Sequence, residues 1–327
     1  MRKTSLLIAI FVLLSTTAAM ATDVVIVKPV VGITCKSSVW SPDGKSIAFA
    51  AQPAYGAPII MLATPAGGTW ECRPLVKDAF APVWSPDSKQ IACHNNGMVI
   101  VTVATGKVRR LSTDMPDNVW TAQAWSPNGR YLLYALSGIA GPREFVMDLK
   151  TGKNAGTSVG EGGAWTNAGK LISWNCAEGD AAWIKLNDVA GGASRVLLKG
   201  SCARGAFTPK GDAYAYLWLM PSASTGEGIY KIDLKSCKLA KMLALRSEEV
   251  IWSKDGTQFA TVSKLIPKAG AEPEMNLYVG NSKNWYFKVV SKGLASPNVI
   301  GSAISWSPDG KSVACATADG GLKIVKL

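Results

Sequence analysis

The sequence predicts an all-β fold, a seven-bladed β-propeller closed by an N-terminal strand that completes the last blade. Three observations carry this: a motif repeated at near-constant spacing, strand-type alternation after each copy, and a lone strand-like run before the first copy. Four copies are clear: Trp40-Ser-Pro-Asp-Gly-Lys-Ser-Ile-Ala-Phe49, Trp84-Ser-Pro-Asp-Ser-Lys-Gln-Ile-Ala-Cys93, Trp125-Ser-Pro-Asn-Gly-Arg-Tyr-Leu-Leu-Tyr134 and Trp306-Ser-Pro-Asp-Gly-Lys-Ser-Val-Ala-Cys315. Three weaker copies, at Trp165, Phe207 and Trp252, fill the gap, and the anchors lie 44, 41, 40, 42, 45 and 54 residues apart. A period of about 40–45 residues with several strands per unit is the mark of a propeller blade.

Each copy reads as a β-hairpin. Proline presets φ at the second turn position, Asp or Asn bonds the local backbone, and Gly supplies positive φ. After the turn a large residue (Ile47, Ile91, Leu132, Ile172, Tyr214, Phe259, Val313) precedes a mostly small one (Ala48, Ala92, Leu133, Ser173, Ala215, Ala260, Ala314). That contrast suits a sheet packed on both faces by its neighbours. Further strand-like runs follow, such as 59–63 with 71–76 and 99–103 with 108–111. The last copy offers one more strand, 322–327, and lacks a fourth; residues 23–28 are expected to supply it and to close the ring.

Residues 1–21 read as a secretory signal peptide: a basic start at Arg2 and Lys3, an apolar stretch from Leu6 to Leu14, and the small-x-small site Ala19-Met20-Ala21. The expected product is the propeller domain 22–327, periplasmic or secreted, with no transmembrane segment after cleavage.

The Trp-Ser-Pro-Asp-Gly copies resemble the TolB-type propeller repeat rather than the WD repeat, which would show Gly-His and Trp-Asp pairs. The resemblance covers 22–327 and implies a rigid interaction module. It departs from the periplasmic TolB protein, in which an α/β domain precedes six blades. Similar repeats precede the hydrolase domain of prolyl-oligopeptidase-type peptidases, and no such domain is expected after Leu327 here.

The chain carries 35 Lys and Arg against 23 Asp and Glu, and a single His. One His argues against a metal site built from several imidazoles and against most acid–base machinery, so no catalytic residue, metal ligand or cofactor is expected. His94 has an ordinary reading as a half-buried or loop-facing side chain. A basic residue stands five positions after five of the anchors: Lys45, Lys89, Arg130, Lys170 and Lys311. In a closed ring these would crown one face, either attracting an anionic partner or standing as solvated turn residues paired with Asp. The opposite face gathers the loops after each second strand, and Tyr55, His94 and Trp120 are its candidate binding residues. Of seven Cys, Cys93 and Cys315 fall at a core position, and Cys176 and Cys202 are placed to meet between adjacent blades.

The resulting expectation is a non-enzymatic exported scaffold for an unidentified protein or an anionic envelope polymer, and not for nucleic acid. A carbohydrate or small-molecule binding module is the alternative, with a hydrolase or lyase behind it.

Overall fold

The computed structural model describes residues 23–28, 32–111, 119–138, 141–155, 160–177, 181–209, 211–222, 225–247, 249–265, 274–295 and 303–327. They form seven four-stranded antiparallel sheets, the blades of one ring. Blade 1 is β2 (Ile33–Trp40), β3 (Ile47–Pro53), β4 (Ile59–Ala66) and β5 (Thr69–Lys77). Blade 2 is β6 (Phe80–Trp84), β7 (Gln90–His94), β8 (Met98–Thr102) and β9 (Val108–Arg110). Blade 3 is β10 (Val119–Trp125), β11 (Tyr131–Gly138), β12 (Gly141–Asp148) and β13 (Lys153–Asn154). Blade 4 is β14 (Gly162–Trp165), β15 (Leu171–Asn175), β16 (Trp183–Asn187) and β17 (Ser194–Lys199). Blade 5 is β18 (Ala203–Phe207), β19 (Tyr214–Leu219), β20 (Gly228–Asp233) and β21 (Leu239–Leu243). Blade 6 is β22 (Glu249–Trp252), β23 (Gln258–Leu265), β24 (Glu274–Asn281) and β25 (Phe287–Lys292). Blade 7 is β26 (Ile304–Trp306), β27 (Ser312–Ala316), β28 (Leu322–Lys326) and, from the other end of the chain, β1 (Asp23–Val27).

The first strand of each hairpin faces the ring's axis, where these strands meet their counterparts in neighbouring blades. Two ends of the ring follow from this. The turn face carries the repeated Ser-Pro-Asp-Gly turns; the loop face carries the connections between blades and between second and third strands.

The repeat's chemistry is visible in the turns. Ser41, Ser85, Ser126, Ser253 and Ser307 are buried. Each hydroxyl donates to the Asp or Asn two residues on at 2.6–2.7 Å. Each also accepts the backbone N–H five residues on at 2.9–3.0 Å. These serine bonds, joined by the backbone N–H two residues further along, hold Asp43, Asp87 and Asp309 below the usual carboxylate range. The turn glycines Gly44, Gly129, Gly256 and Gly310 sit at φ of 69–73°, where a side chain is strained.

The anchor tryptophans join the blades. The Trp84 indole N–H donates to Val39 O at 3.0 Å, Trp125 to Val83 O at 3.1 Å, Trp165 to Ala124 O at 3.3 Å and Trp306 to Ile251 O at 3.4 Å. Each acceptor stands one residue before the preceding blade's anchor, so the repeat bonds to itself around the ring. Trp40 uses its backbone N–H instead, donating to Ser305 Oγ at 2.9 Å. Phe207, the anchor of blade 5, has no such donor. Trp84→Phe is therefore expected to lower stability by about 1–2 kcal/mol, since the Val39 carbonyl loses its partner in a half-buried seam. Thermal denaturation checks this, with Trp252→Phe as the comparison in a blade where no indole bond of this kind is made among the described residues.

The large–small alternation lies where the repeat places it. Ile47, Ile91, Leu132, Phe259 and Val313 are fully buried, as are Ala48, Ala92, Leu133, Ala215, Ala260 and Ala314, while Tyr214 is only half-buried. Cys93 and Cys315 are buried apolar fillers, and burial pushes both thiols up to about 12. Cys176 and Cys202 form a disulfide that joins blades 4 and 5. Among the described residues no helix is long and apolar enough to cross a membrane.

Candidate functional site

Four of the innermost strands are irregular near their loop-face ends. The register of β2 shifts between Lys36 and Val39, that of β6 between Phe80 and Val83, that of β10 between Ala122 and Ala124, and that of β18 between Ala203 and Gly205. A bulge leaves its extra residue outside the ladder and re-aims that side chain. In β10 and β18 the extra residues are Gln123 and Arg204, both exposed although they lie on strands that line the axis. In β2 and β6 the bulges hold Ser37 and Ala81 at φ of 53°.

Other polar groups gather at the same end. Arg204 Nη1 reaches across the seam to Ser247 O at 3.5 Å, and its guanidinium lies 5.4 Å over the Trp218 ring. Glu249 Oε2 accepts the Ala303 N–H at 3.1 Å, and Glu161 Oε2 accepts the Cys176 N–H at 3.4 Å. Gln123 Nε2 donates to Thr121 Oγ1 at 3.1 Å. Lys36 stands half-buried on β2. Thr121, Ser201, Thr225, Ser247, Thr261 and Asn276, on blades 3, 5 and 6, are buried polar residues. The turn motif accounts for none of these polar side chains; apart from Lys36 of blade 1, they belong to blades 3 to 6.

Glu144, on β12, is buried at the seam between blades 3 and 4. Its Oε2 lies 3.2 Å from where a Cβ on Gly163 would stand, beside Leu133 and Leu171. Desolvation pushes its carboxyl up to about 8, so it holds its proton at neutral pH.

The residues expected from the sequence are placed as follows. Tyr55 tips the loop between β3 and β4 and is 95% exposed; Gln52 Nε2 braces that loop through Pro53 O and Gly56 O. His94 ends β7 half-buried, its ring 4.6 Å from that of Phe80. Trp120 lies on β10 opposite Leu136, at the loop-face end, and its side chain falls outside the described residues. The signal peptide of residues 1–21 also lies outside them. Lys45, Lys89, Arg130, Lys170 and Lys311 are all exposed on the turn face. Arg130 is tied to Asp148 at 2.8 Å, while Lys45, Lys89 and Lys311 give their backbone N–H groups to Asp43, Asp87 and Asp309. Sequence does not single out Arg204 and Gln123, because a bulge has no fixed sequence signature, nor Glu161 and Glu249, which carry no motif.

Comparison with known proteins bears on the fold. The model of the WD domain, G-beta repeat, matches residues 295–326, a stretch centred on blade 7. No curated protein sequence matches the chain. Among solved structures, an oligogalacturonate lyase in complex with manganese superposes with a TM-score of 0.71 at 16% identity, covering 95% of this chain and 94% of the other. The oligogalacturonate lyase of Vibrio parahaemolyticus gives 0.69 at 14%, covering 94% and 98%. Hydrazine synthase of Kuenenia stuttgartiensis gives 0.59 at 14%, covering 89% and 94%.

These likenesses are of fold, and they correct one expectation. A non-enzymatic scaffold, read from a single His and a bare propeller, does not stand: two whole-chain neighbours are enzymes built on the same ring. The physical reason is that a propeller's site is made by side chains at its mouth, and Arg, Lys and carboxylates can stabilise charge or carry protons without an imidazole. The manganese of the first neighbour is a separate matter. Among the described residues no three His, Cys, Asp or Glu side chains are grouped to hold a metal ion, and the one imidazole lies against Phe80. The described residues do not make a manganese site.

Proposed function

We propose that this chain acts on an acidic oligosaccharide taken up at the loop-face mouth of the ring. The observation that carries the reading is the pair of bulge residues, Arg204 and Gln123, exposed on axis-lining strands at the loop-face end of the ring. A guanidinium suits a sugar carboxylate because it can donate two parallel bonds. The Gln123 amide and the carboxylates of Glu161 and Glu249 suit hydroxyls, and Tyr55 offers a ring for a sugar face. Support also comes from the two whole-chain neighbours, whose names give oligogalacturonate as what they act on.

Calorimetry with oligogalacturonate, followed by the ultraviolet absorbance of unsaturated product, tests this. Binding is expected, weakened about tenfold or more by Arg204→Ala, as for loss of a charged hydrogen bond. Absence of binding to any acidic oligosaccharide overturns the reading; binding without new product or new chain ends overturns the action.

The same proposal includes export through residues 1–21, supported by the Cys176–Cys202 disulfide, which suits an oxidising compartment. It also includes a TolB-type repeat, supported by the four Trp-Ser-Pro-Asp/Asn copies. Mass measurement of the mature protein, expected to begin at Thr22, checks the former.

A further inference from the structure

The seven turns are an internal reference for one another. Five carry proline at the second position: Pro42, Pro86, Pro127, Pro209 and Pro308. Two do not, and hold Asn167 and Lys254 instead. Both of these line the same cavity of about 590 Å³ on the turn face, together with Asp255, Pro308, Asp309 and Gly310. The cavity spans turns from blades 4, 6 and 7, and its size is within the range of small-ligand sites.

The fold accounts for one departure and not for the other. Asn167 has structural work: its side chain donates to Thr208 O at 2.6 Å, and its backbone N–H donates to Asp212 Oδ1 at 3.1 Å. Lys254 makes no hydrogen bond or ion pair among the described residues. Proline there would restrict the unfolded chain and favour folding. The turn geometry is otherwise kept, since Ser253 still donates to Asp255 and accepts from Gln258 N–H as in the regular copies. The replacement puts an unengaged ammonium at a cavity wall where five other copies put an inert ring.

Facing groups complete a donor–acceptor set. Asp309 uses Oδ1 for Ser307 and the Lys311 N–H, which leaves Oδ2 without a partner among the described residues. The serine bond keeps this carboxylate ionised and therefore acceptor-only. Pro308 adds an apolar surface beside it. An ammonium donor, a carboxylate acceptor and an apolar wall in a cavity of this size match vicinal hydroxyls and the C–H face of a sugar. We propose that the turn-face cavity is a second binding site, distinct from the loop-face mouth, for a neutral di- or trisaccharide gripped by Lys254 and Asp309.

Saturation-transfer NMR on the full protein, with cellobiose, maltose and maltotriose as probes, tests this independently of the loop-face reading. Saturation of at least one saccharide is expected. Lys254→Pro, which restores the residue of the regular turns, should weaken it at least fivefold with the melting temperature unchanged or raised; Lys254→Gln is the second variant should proline disturb the turn. Arg204→Ala, on the opposite face, should leave this binding unchanged. The inference is overturned if none of the three saccharides binds, or if binding is indifferent to both Lys254 variants. It is also overturned if glycine betaine, a zwitterion matching the two charges alone, competes with the saccharides at equal concentration.

Discussion

Deleting Asp23–Val27 is expected to lower the melting temperature by about 10 °C. β1 pairs with β28 through Asp23–Val325, Val24–Ile324, Val25–Lys323 and Val27–Leu322. Val24, Ile26 and Val27 pack against the cluster of Cys35, Ile47, Phe49, Leu322 and Ile324. Asp23 and Ser291 Oγ share the Lys323 ammonium at 2.8 and 2.7 Å, which ties the closing strand to blade 6. Three partly buried apolar side chains at about 1 kcal/mol each, plus ladder bonds at about 0.5–1 kcal/mol each, come to about 5 kcal/mol. At about 2 °C per kcal/mol for a domain of this size, that gives the stated shift. The loss is also topological, because β28 becomes an open edge. Calorimetric melting checks it, with Val25→Ser as the control: Val25 is 55% exposed, so its replacement should change little. A deletion variant melting with the intact protein would remove β1 from the closure.

The second large effect concerns pH. Glu144 has an unfolded value of 4.5 and is pushed up to about 8 by burial. Below pH 4.5 both states hold the proton and this group leaves stability unchanged. Between 4.5 and about 8 the unfolded chain releases the proton while the folded chain keeps it, so folding is disfavoured about tenfold more with each pH unit. Above 8 both states are ionised and the penalty is constant. Glu144→Gln keeps the size of the side chain and removes the titration. The variant should melt near the parent at pH 4.5 and well above it at pH 8. The turn aspartates work in the opposite sense and in a different range: their lowered values withdraw stability only below their unfolded 3.8. Melting curves of the two proteins that stay parallel across pH 4.5–8 would show that Glu144 does not drive the dependence.

Much of the architecture was written in the chain. Trp-Ser-Pro-Asp-Gly specifies a turn through contacts spanning five residues, and hydrophobic alternation assigns the two faces of a strand within ten. Such local rules need no partner, which is why the blade count, the core residues and the closing strand at 23–28 could be read in advance. The Cys176–Cys202 pair was legible for a related reason: two neighbouring repeats brought their ends to one seam.

What the tertiary structure alone decided is how copies meet. The indole bond from four of the anchors to the carbonyl before the preceding anchor joins residues 41 to 55 apart, and no local pattern announces it. The bulges that expose Arg204 and Gln123 arise where inner strands accommodate the axis, so those side chains look like ordinary strand residues in sequence. Glu144 reads as one more charged residue until Gly163, Leu133 and Leu171 close over it from two blades. The sequence shows that Lys254 replaces a turn proline, but only the fold brings it to one cavity with Asn167 and Asp309. In a ring, hydrogen bonds along the chain settle each blade, whereas desolvation and seam geometry between blades settle which side chains face the ligand.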